Sequence, residues 1–178
     1  APASPGSASF GSGGAGGLTH FVGLMVGQAI GVELRHVPYK GSGPAAMDTA
    51  AGHIPATVQP LGSLMAQARA GRIRILAISS SRRTLIDPGI PTFAELGYPS
   101  LQVENWYGIF APAGTPPDTV NRLNGVFVQA MRTAAIRDKM RSLDLDIREL
   151  NVPEFTSVVK ADYERWGSII KTFGFRDE

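Results

Sequence analysis

Hydrophobic positions change period several times along this chain, and each change marks an element. In residues 18–30, Leu18, Phe21, Val22, Met25, Val26 and Ile30 recur at helical spacing, and Gly31 follows as a C-terminal glycine. Residues 32–37 alternate and are β-branched at both ends, which predicts a strand that Pro38 ends. Pro44 near a first helical position predicts a short helix up to residue 51, closed by Gly52. A strand weakened by Pro55 is expected over 54–59, then a helix over 60–70 carrying Leu61, Leu64, Met65 and Ala68. The continuous apolar run 73–78 predicts a central strand buried on both faces.

Loop is expected over 79–91, where Asp87-Pro88-Gly89 marks a turn, then a short helix over 92–96 and an extended segment over 101–110. Thr115 is the expected cap of a helix that opens on Pro116 and runs to Arg132, with Asp118 closing a capping-box-like arrangement. A second short helix over 134–143, a returning strand over 145–150 and a final helix over 153–172 complete the pattern. Alternation of strands and helices implies an α/β layer structure with a largely parallel sheet. Right-handed crossovers place its Gly/Ser turns at the carboxyl edge, where open α/β sheets bind ligands.

Two such turns stand out. The first is Phe10-Gly11-Ser12-Gly13-Gly14-Ala15-Gly16-Gly17-Leu18-Thr19-His20, and the second is His36-Val37-Pro38-Tyr39-Lys40-Gly41-Ser42-Gly43-Pro44. Each reads as strand, small-residue loop, helix start. Unpaired N–H groups and the helix dipole there favour a carboxylate or phosphate. Ser12 is read either as a hydroxyl contact to an anion or as part of a plain glycine turn. Lys40 and Ser42 are read either as anion contacts or as a solvated loop, and His20 as a packing, capping or ligand residue.

Composition narrows the classes. With 178 residues and 43% apolar content, the chain is sized for one ordinary globular domain, with room for an appendage. Its net charge is only +2 and its 17 basic residues are scattered, so no nucleic-acid partner is expected. The absence of cysteine excludes disulfide and thiol chemistry. No apolar run approaches the about 20 residues of a membrane span. Residues 1–9 lack an export-signal pattern, so the chain is read as intracellular or as having lost its N-terminus.

Gly11, Gly13 and Gly16 formally match G-x-G-x-x-G, which raises a Rossmann-like, nucleotide-dependent enzyme domain as the alternative. Against it, the second strand closes on His36-Val37-Pro38-Tyr39-Lys40 instead of on an acidic residue, and Glu33 stands at its start. No Gly-Lys-Ser/Thr, G-x-S-x-G or paired carboxylate supports other chemistry, and His20, His36 and His53 lack metal-ligand spacing. Neither a cofactor nor a metal is expected, and no catalytic residue is assigned.

The motifs also carry a family resemblance. Pro5-Gly6, the first glycine turn through His20, and His36-Val37-Pro38-Tyr39-Lys40-Gly41 resemble the second-lobe start of the tripartite tricarboxylate transporter receptors, the Bug proteins. Pro91-Thr92-Phe93-Ala94-Glu95-Leu96-Gly97, Trp106-Tyr107-Gly108-Ile109-Phe110-Ala111-Pro112-Ala113-Gly114-Thr115-Pro116 and Arg122-Leu123-Asn124 follow in the family's order. Two positions depart from it: Gly17 stands where the family has Ser, and Pro55 where it has Asp.

The resemblance implies a type II, Venus-flytrap periplasmic-binding-protein lobe and a binding protein rather than an enzyme. Residues 1–110 would be the second ligand-binding lobe, and 111–178 a C-terminal helical segment with a returning strand, packing on the lobes. Most of the first lobe would lie outside this chain. Three origins stay open for that: an engineered domain, a proteolytic product and a truncated reading frame. The expected ligand is a small carboxylate (a dicarboxylate, a tricarboxylate or an amino acid), the partners are membrane transporter subunits, and the location is periplasmic. Ligand contacts are expected from Ser12, Gly14, Gly16, Gly17, Lys40, Gly41, Ser42 and Gln59. Apolar faces freed by the missing lobe would favour self-association.

Overall fold

The computed structural model describes residues 8–143 and 145–175. The elements are β1 (Ser9–Ser12), α1 (Leu18–Ile30), β2 (Arg35–Pro38), α2 (Ser42–Ala50), α3 (Leu61–Arg69), α4 (Pro117–Met131), α5 (Ala134–Ser142) and α6 (Val152–Thr172), with a 3₁₀ turn at Pro99–Leu101. The chain forms two compact units, one of residues up to Asn105 joined by Phe175, and one of Trp106–Gly174. The unit boundary thus falls within the extended segment.

In the first unit β1 and β2 pair in parallel, with Phe10 opposite His36 and Ser12 opposite Pro38. The α1 crossover between them makes the βαβ arrangement expected of an α/β lobe. Residues 56–58 extend the sheet on the other edge of β1: the Gly11 N–H donates to the Ala56 carbonyl at 3.0 Å, and the Val58 N–H to the Gly11 carbonyl at 2.9 Å. Pro55 removes one donor just before this pairing, and the predicted strand over 54–59 contracts to a bridge at Thr57.

α1 matches its predicted bounds, and Gly31 closes it in the left-handed conformation at φ 69°. Its tightest face differs from the expected hydrophobic stripe. Buried are His20, Phe21, Val22, Gly23 and Gly27, while Ile30 is exposed. Two glycines one turn apart bring the helix backbone close to its neighbours, Gly23 against Phe10 of β1 and Gly27 against Val32 and Leu34 ahead of β2. Around that contact Phe10, Phe21, Ala45, Ala46, Ile54, Leu64, Leu101 and Val103 form the core.

The run 73–78 corrects the expectation of a strand buried on both faces. It is extended but forms no ladder, and only Ile78 bridges to Thr92. Ile73, Ile75 and Ala77 are half-buried while Arg74 and Leu76 face outward, with Leu76 63% exposed. An apolar run does not by itself distinguish burial on one face from burial on two. Residues 92–96 form turns, in which the Thr92 and Glu95 side chains cap each other's backbone N–H.

In the second unit α4 packs with α5 and with α6. Pro116, rather than Thr115, is the cap of α4, because the Thr115 hydroxyl donates back to the Pro112 carbonyl at 2.8 Å. The expected strand over 145–150 has no ladder among its described residues. That segment is held by side chains: Asn124 Nδ2 donates to the Leu150 carbonyl, and Arg132 and Arg137 both pair with Glu149. α6 starts on a full capping box, in which Asn151 and Glu154 accept from each other's backbone N–H. A cluster of Trp106, Phe110 and Phe155 packs in this unit, and Trp106 Nε1 donates to Asp162.

Candidate functional site

The two Gly/Ser turns lie side by side because the strands that feed them are parallel neighbours. The ladder continues past the strands into the turns. The Tyr39 N–H donates to the Ser12 carbonyl at 3.0 Å, and the Gly41 N–H to the Gly13 carbonyl at 3.0 Å. Gly41 adopts φ 103°, a conformation open to glycine, and leads directly into α2.

Where the turns cross, Gly13 has no side chain to keep them apart. A Cβ there would lie 3.4 Å from the Gly41 carbonyl carbon, 3.5 Å from the Ser42 nitrogen and 3.6 Å from Gln59 Oε1. Gln59 reaches this point from the segment paired with β1. Its Nε2 donates to Thr57 Oγ1 at 3.2 Å, and the Thr57 hydroxyl donates to the Gly11 carbonyl at 2.9 Å. The Oε1 is buried and has no hydrogen-bond partner among the described residues.

Much of the first turn's polarity is spent internally. Ser12 is fully buried, and its hydroxyl donates to the Gly14 carbonyl at 2.9 Å and accepts from the Gly14 N–H at 3.3 Å. It also lies 2.6 Å from His36 Nε2. The Gly16 N–H donates to His20 Nδ1 at 3.2 Å, which places the His20 proton on its other nitrogen. Gly17 caps α1 with its backbone, its carbonyl accepting from the His20 and Phe21 N–H groups.

Beneath the turn the rings of His20 and His36 stack at 3.8 Å, next to Phe10, Phe21 and Phe175. Burial lowers the affinity of both imidazoles for a proton. His36 falls to about 4, through burial first and the neighbouring His20 second. The turn therefore rests on a neutral aromatic floor at pH 7.

Of the predicted contacts, Gly41, Ser42 and Gln59 come together at one point. Gly14 and Gly16 have their N–H groups bonded within the turn, Ser12 is enclosed, Gly17 stands at the α1 cap, and Lys40 is exposed. No protein acceptor among the described residues is bonded to the N–H of Gly13 or of Ser42. Sequence reasoning named Gly13 within the glycine turn without singling it out as a contact, and it passed over the support given by His36. The parallel pairing that brings residue 13 against residue 41 was the signal for Gly13. Nothing local points to His36, which is 24 positions from Ser12.

The geometry also bears on the dinucleotide alternative. Gly11 lies inside β1 with its N–H and carbonyl both paired, and Gly13 abuts the second turn. Gly16 is backed by Phe175, whose ring would stand 3.1 Å from a Cβ. The three glycines of the match thus serve sheet pairing and packing. Among the described residues no group of His, Cys, Asp and Glu is placed to hold a metal ion, and no helix is long and apolar enough to cross a membrane.

The model of the tripartite tricarboxylate transporter family receptor matches residues 1–175. A UPF0065 protein from the tcbD-tcbE intergenic region of Pseudomonas sp. (strain P51) is 34% identical over 93% of this chain and 50% of its own length. A solved structure described as a periplasmic transporter superposes with a TM-score of 0.86 at 36% identity, covering 94% of this chain and 56% of its own. An R. palustris protein solved with adipate superposes at 0.85 and 29% identity, over 96% of this chain and 57% of its own. The chain therefore spans about half the length of these relatives. These matches overturn the Rossmann-like enzyme alternative: the chain belongs to the tripartite tricarboxylate transporter family receptors.

Proposed function

We propose that the first unit is the second ligand-binding lobe of a periplasmic solute receptor that captures a small carboxylate for a membrane transporter. In this reading the lobe is assigned to residues 1–110 and a C-terminal segment to 111–178, a division five residues beyond the boundary between the compact units. The observation that carries the proposal is the crossing at Gly13, where the first turn lies against the start of α2 and, among the described residues, neither the Gly13 nor the Ser42 N–H is bonded to another backbone group. Donors at a helix start suit a carboxylate oxygen. Gly41 and Gln59 frame this point, and exposed Lys40 adds positive charge to the same turn. Ser12, Gly14, Gly16 and Gly17 act through the shape of the first turn. Adipate in the R. palustris neighbour supports a carboxylate as the ligand class.

The test is a thermal-shift and calorimetric panel of carboxylates and nucleotides. It uses the 178-residue chain and the protein expressed from its full coding frame. Carboxylates are expected to stabilise the full protein and to bind the isolated chain only weakly, because one set of contacts encloses a ligand incompletely. Gly13→Ala fills the crossing at ordinary contact distances, so it should preserve the fold and weaken carboxylate binding about tenfold or more. Stabilisation by a nucleotide with none from any carboxylate would overturn the proposal.

A further inference from the structure

Tyr39 holds the second turn with both its backbone and its side chain. Its N–H donates to the Ser12 carbonyl, and its ring lies across β1, 3.1 and 3.4 Å from where a Cβ would stand at Gly11. Lys40 and Gly41 lead from it to Ser42, the first residue of α2. The Tyr39 hydroxyl donates to Asp48 Oδ2 at 2.8 Å, in the last turn of that same helix. The bond closes a ring from the end of β2, through the turn and along α2. Little else fixes the helix. Its start carries no side-chain cap, and the residues it buries are two alanines, Ala45 and Ala46. So small a face offers no ridges that interlock with a neighbour.

Asp48 also stands where a carboxylate is locally unfavourable, at the negative end of the helix dipole with no basic residue in that turn. A residue that breaks a local rule needs a gain elsewhere. The Tyr39 hydroxyl provides it. That bond first, and His53 Nδ1 at 3.3 Å second, hold the Asp48 carboxyl below its usual range. We propose that Asp48 is a positioning residue, which through Tyr39 fixes the second turn and the start of α2 in the arrangement that receives a carboxylate. This rests on the carboxylate reading above and adds the device that prepares the site. Without the bond, the turn is receptive for only part of the time, and apparent affinity falls by that fraction. The sign of the effect separates positioning from charge. Asp48 is negative, so its removal would by charge alone tighten the binding of an anion, by about threefold at most for a half-exposed group in salt. Positioning demands the opposite.

The experiment is calorimetric titration of the protein from its full coding frame with adipate, malate, citrate and glutamate, well below the unfolding midpoint. Lost stability alone leaves Kd unchanged there. With the carboxylate that the parent protein binds tightest, Asp48→Ala and Tyr39→Phe are each expected to weaken binding about tenfold. The double variant should bind within about twofold of either single one, because both changes break the same bond. Asp48→Asn keeps an oxygen to accept from Tyr39 and loses the charge, so it should bind as tightly as the parent or up to about threefold tighter. Unchanged or tighter binding in Asp48→Ala or in Tyr39→Phe overturns the inference and leaves the carboxylate reading standing. So do losses that add in the double variant, and a loss in Asp48→Asn equal to that in Asp48→Ala. Failure of all four carboxylates to bind the parent protein overturns the carboxylate reading and the inference with it. Tyr39→Phe removes a single oxygen atom, so an unfolded Asp48→Ala does not spare the inference.

Discussion

Gly23 is the most demanding glycine of α1, and its replacement by alanine tests how the helix sits on β1. A Cβ at Gly23 would lie 2.0, 2.3 and 2.6 Å from three ring carbons of Phe10. Carbon atoms pack at about 3.5–4.0 Å, so ring and helix must part by about 1.5 Å. Phe10 is 1% exposed and its ring packs on His36 at 5.1 Å, which leaves the ring nowhere to turn. Overpacking of this kind costs about 3 kcal/mol, the upper end of its usual range. Alanine returns up to about 1 kcal/mol of helix propensity. The net loss is about 2 kcal/mol, equivalent to about 4–8 °C in the midpoint of a chain of this size. Gly167→Ala in α6 is the control: nothing lies within 4 Å of its Cβ, so it should gain about 0.5–1 kcal/mol. Both tryptophans, Trp106 and Trp166, belong to the second unit, so their fluorescence does not report on α1. Hydrogen exchange of the α1 amides together with far-UV circular dichroism does. Faster exchange over α1 in Gly23→Ala is expected, with slower exchange over α6 in Gly167→Ala. An unchanged or raised midpoint in Gly23→Ala would refute the close packing of α1 on Phe10.

Acid should weaken the first unit before the second. The unfolded chain takes up protons on His20 and His36 near the ordinary 6.5, whereas folded His36 resists until about 4. Stability is therefore complete above about pH 6.5 and falls as pH drops towards 4. The shift at His36 corresponds to at most about 3 kcal/mol, and partial exposure reduces this to about 1–2 kcal/mol. His36→Phe should flatten the midpoint-versus-pH curve in that window, and an unaltered slope would contradict the assignment. Ser12→Ala leaves His36 Nε2 without its partner and is expected to cost about 1–3 kcal/mol, read by urea unfolding followed by circular dichroism. Asn151→Ala removes the capping box of α6 and should cost about 1 kcal/mol, read by tryptophan emission from Trp166 in the same helix.

The helices were legible because period and punctuation agreed. Residues 18–30 carried both an apolar stripe and a closing glycine, and α1 has those bounds. Residues 60–70 and 153–172 were bounded to within a residue or so for the same reason. The strands were less legible, being four residues long and defined by partners more than by pattern. The run 73–78 and the segment 145–150 have strand-like composition, yet no neighbouring backbone completes a ladder with either among the described residues. Glycine packing left no hydrophobic signature, and the face of α1 is centred on Gly23 and Gly27, which carry no side chain. At the site, the two turns could be read from residue types alone. Which of their N–H groups remain open could not, because Ser12, His20 and His36 decide that through bonds across the fold.

The division between open and spent donors gives the turn its working character. A segment with five glycines between residues 11 and 17 loses a large conformational entropy when it is ordered. Bonds within and beside the turn oppose that loss, among them Ser12 with His36, Gly14 with Ser12, Gly16 with His20, and Gly41 with Gly13. Each contributes about 1 kcal/mol net, so together they offset the freedom of only a few residues. Spending them away from the ligand is still worthwhile, because a donor fixed in advance need not be ordered when the ligand arrives. In the proposed receptor the N–H groups of Gly14 and Gly16 and the hydroxyl of Ser12 thus serve binding by holding Gly13 where Ser42 and Gln59 converge. The neutral histidine pair is suited to the same end. A charged imidazolium would offer His20 no lone pair with which to accept from Gly16, and the first turn would lose that tie.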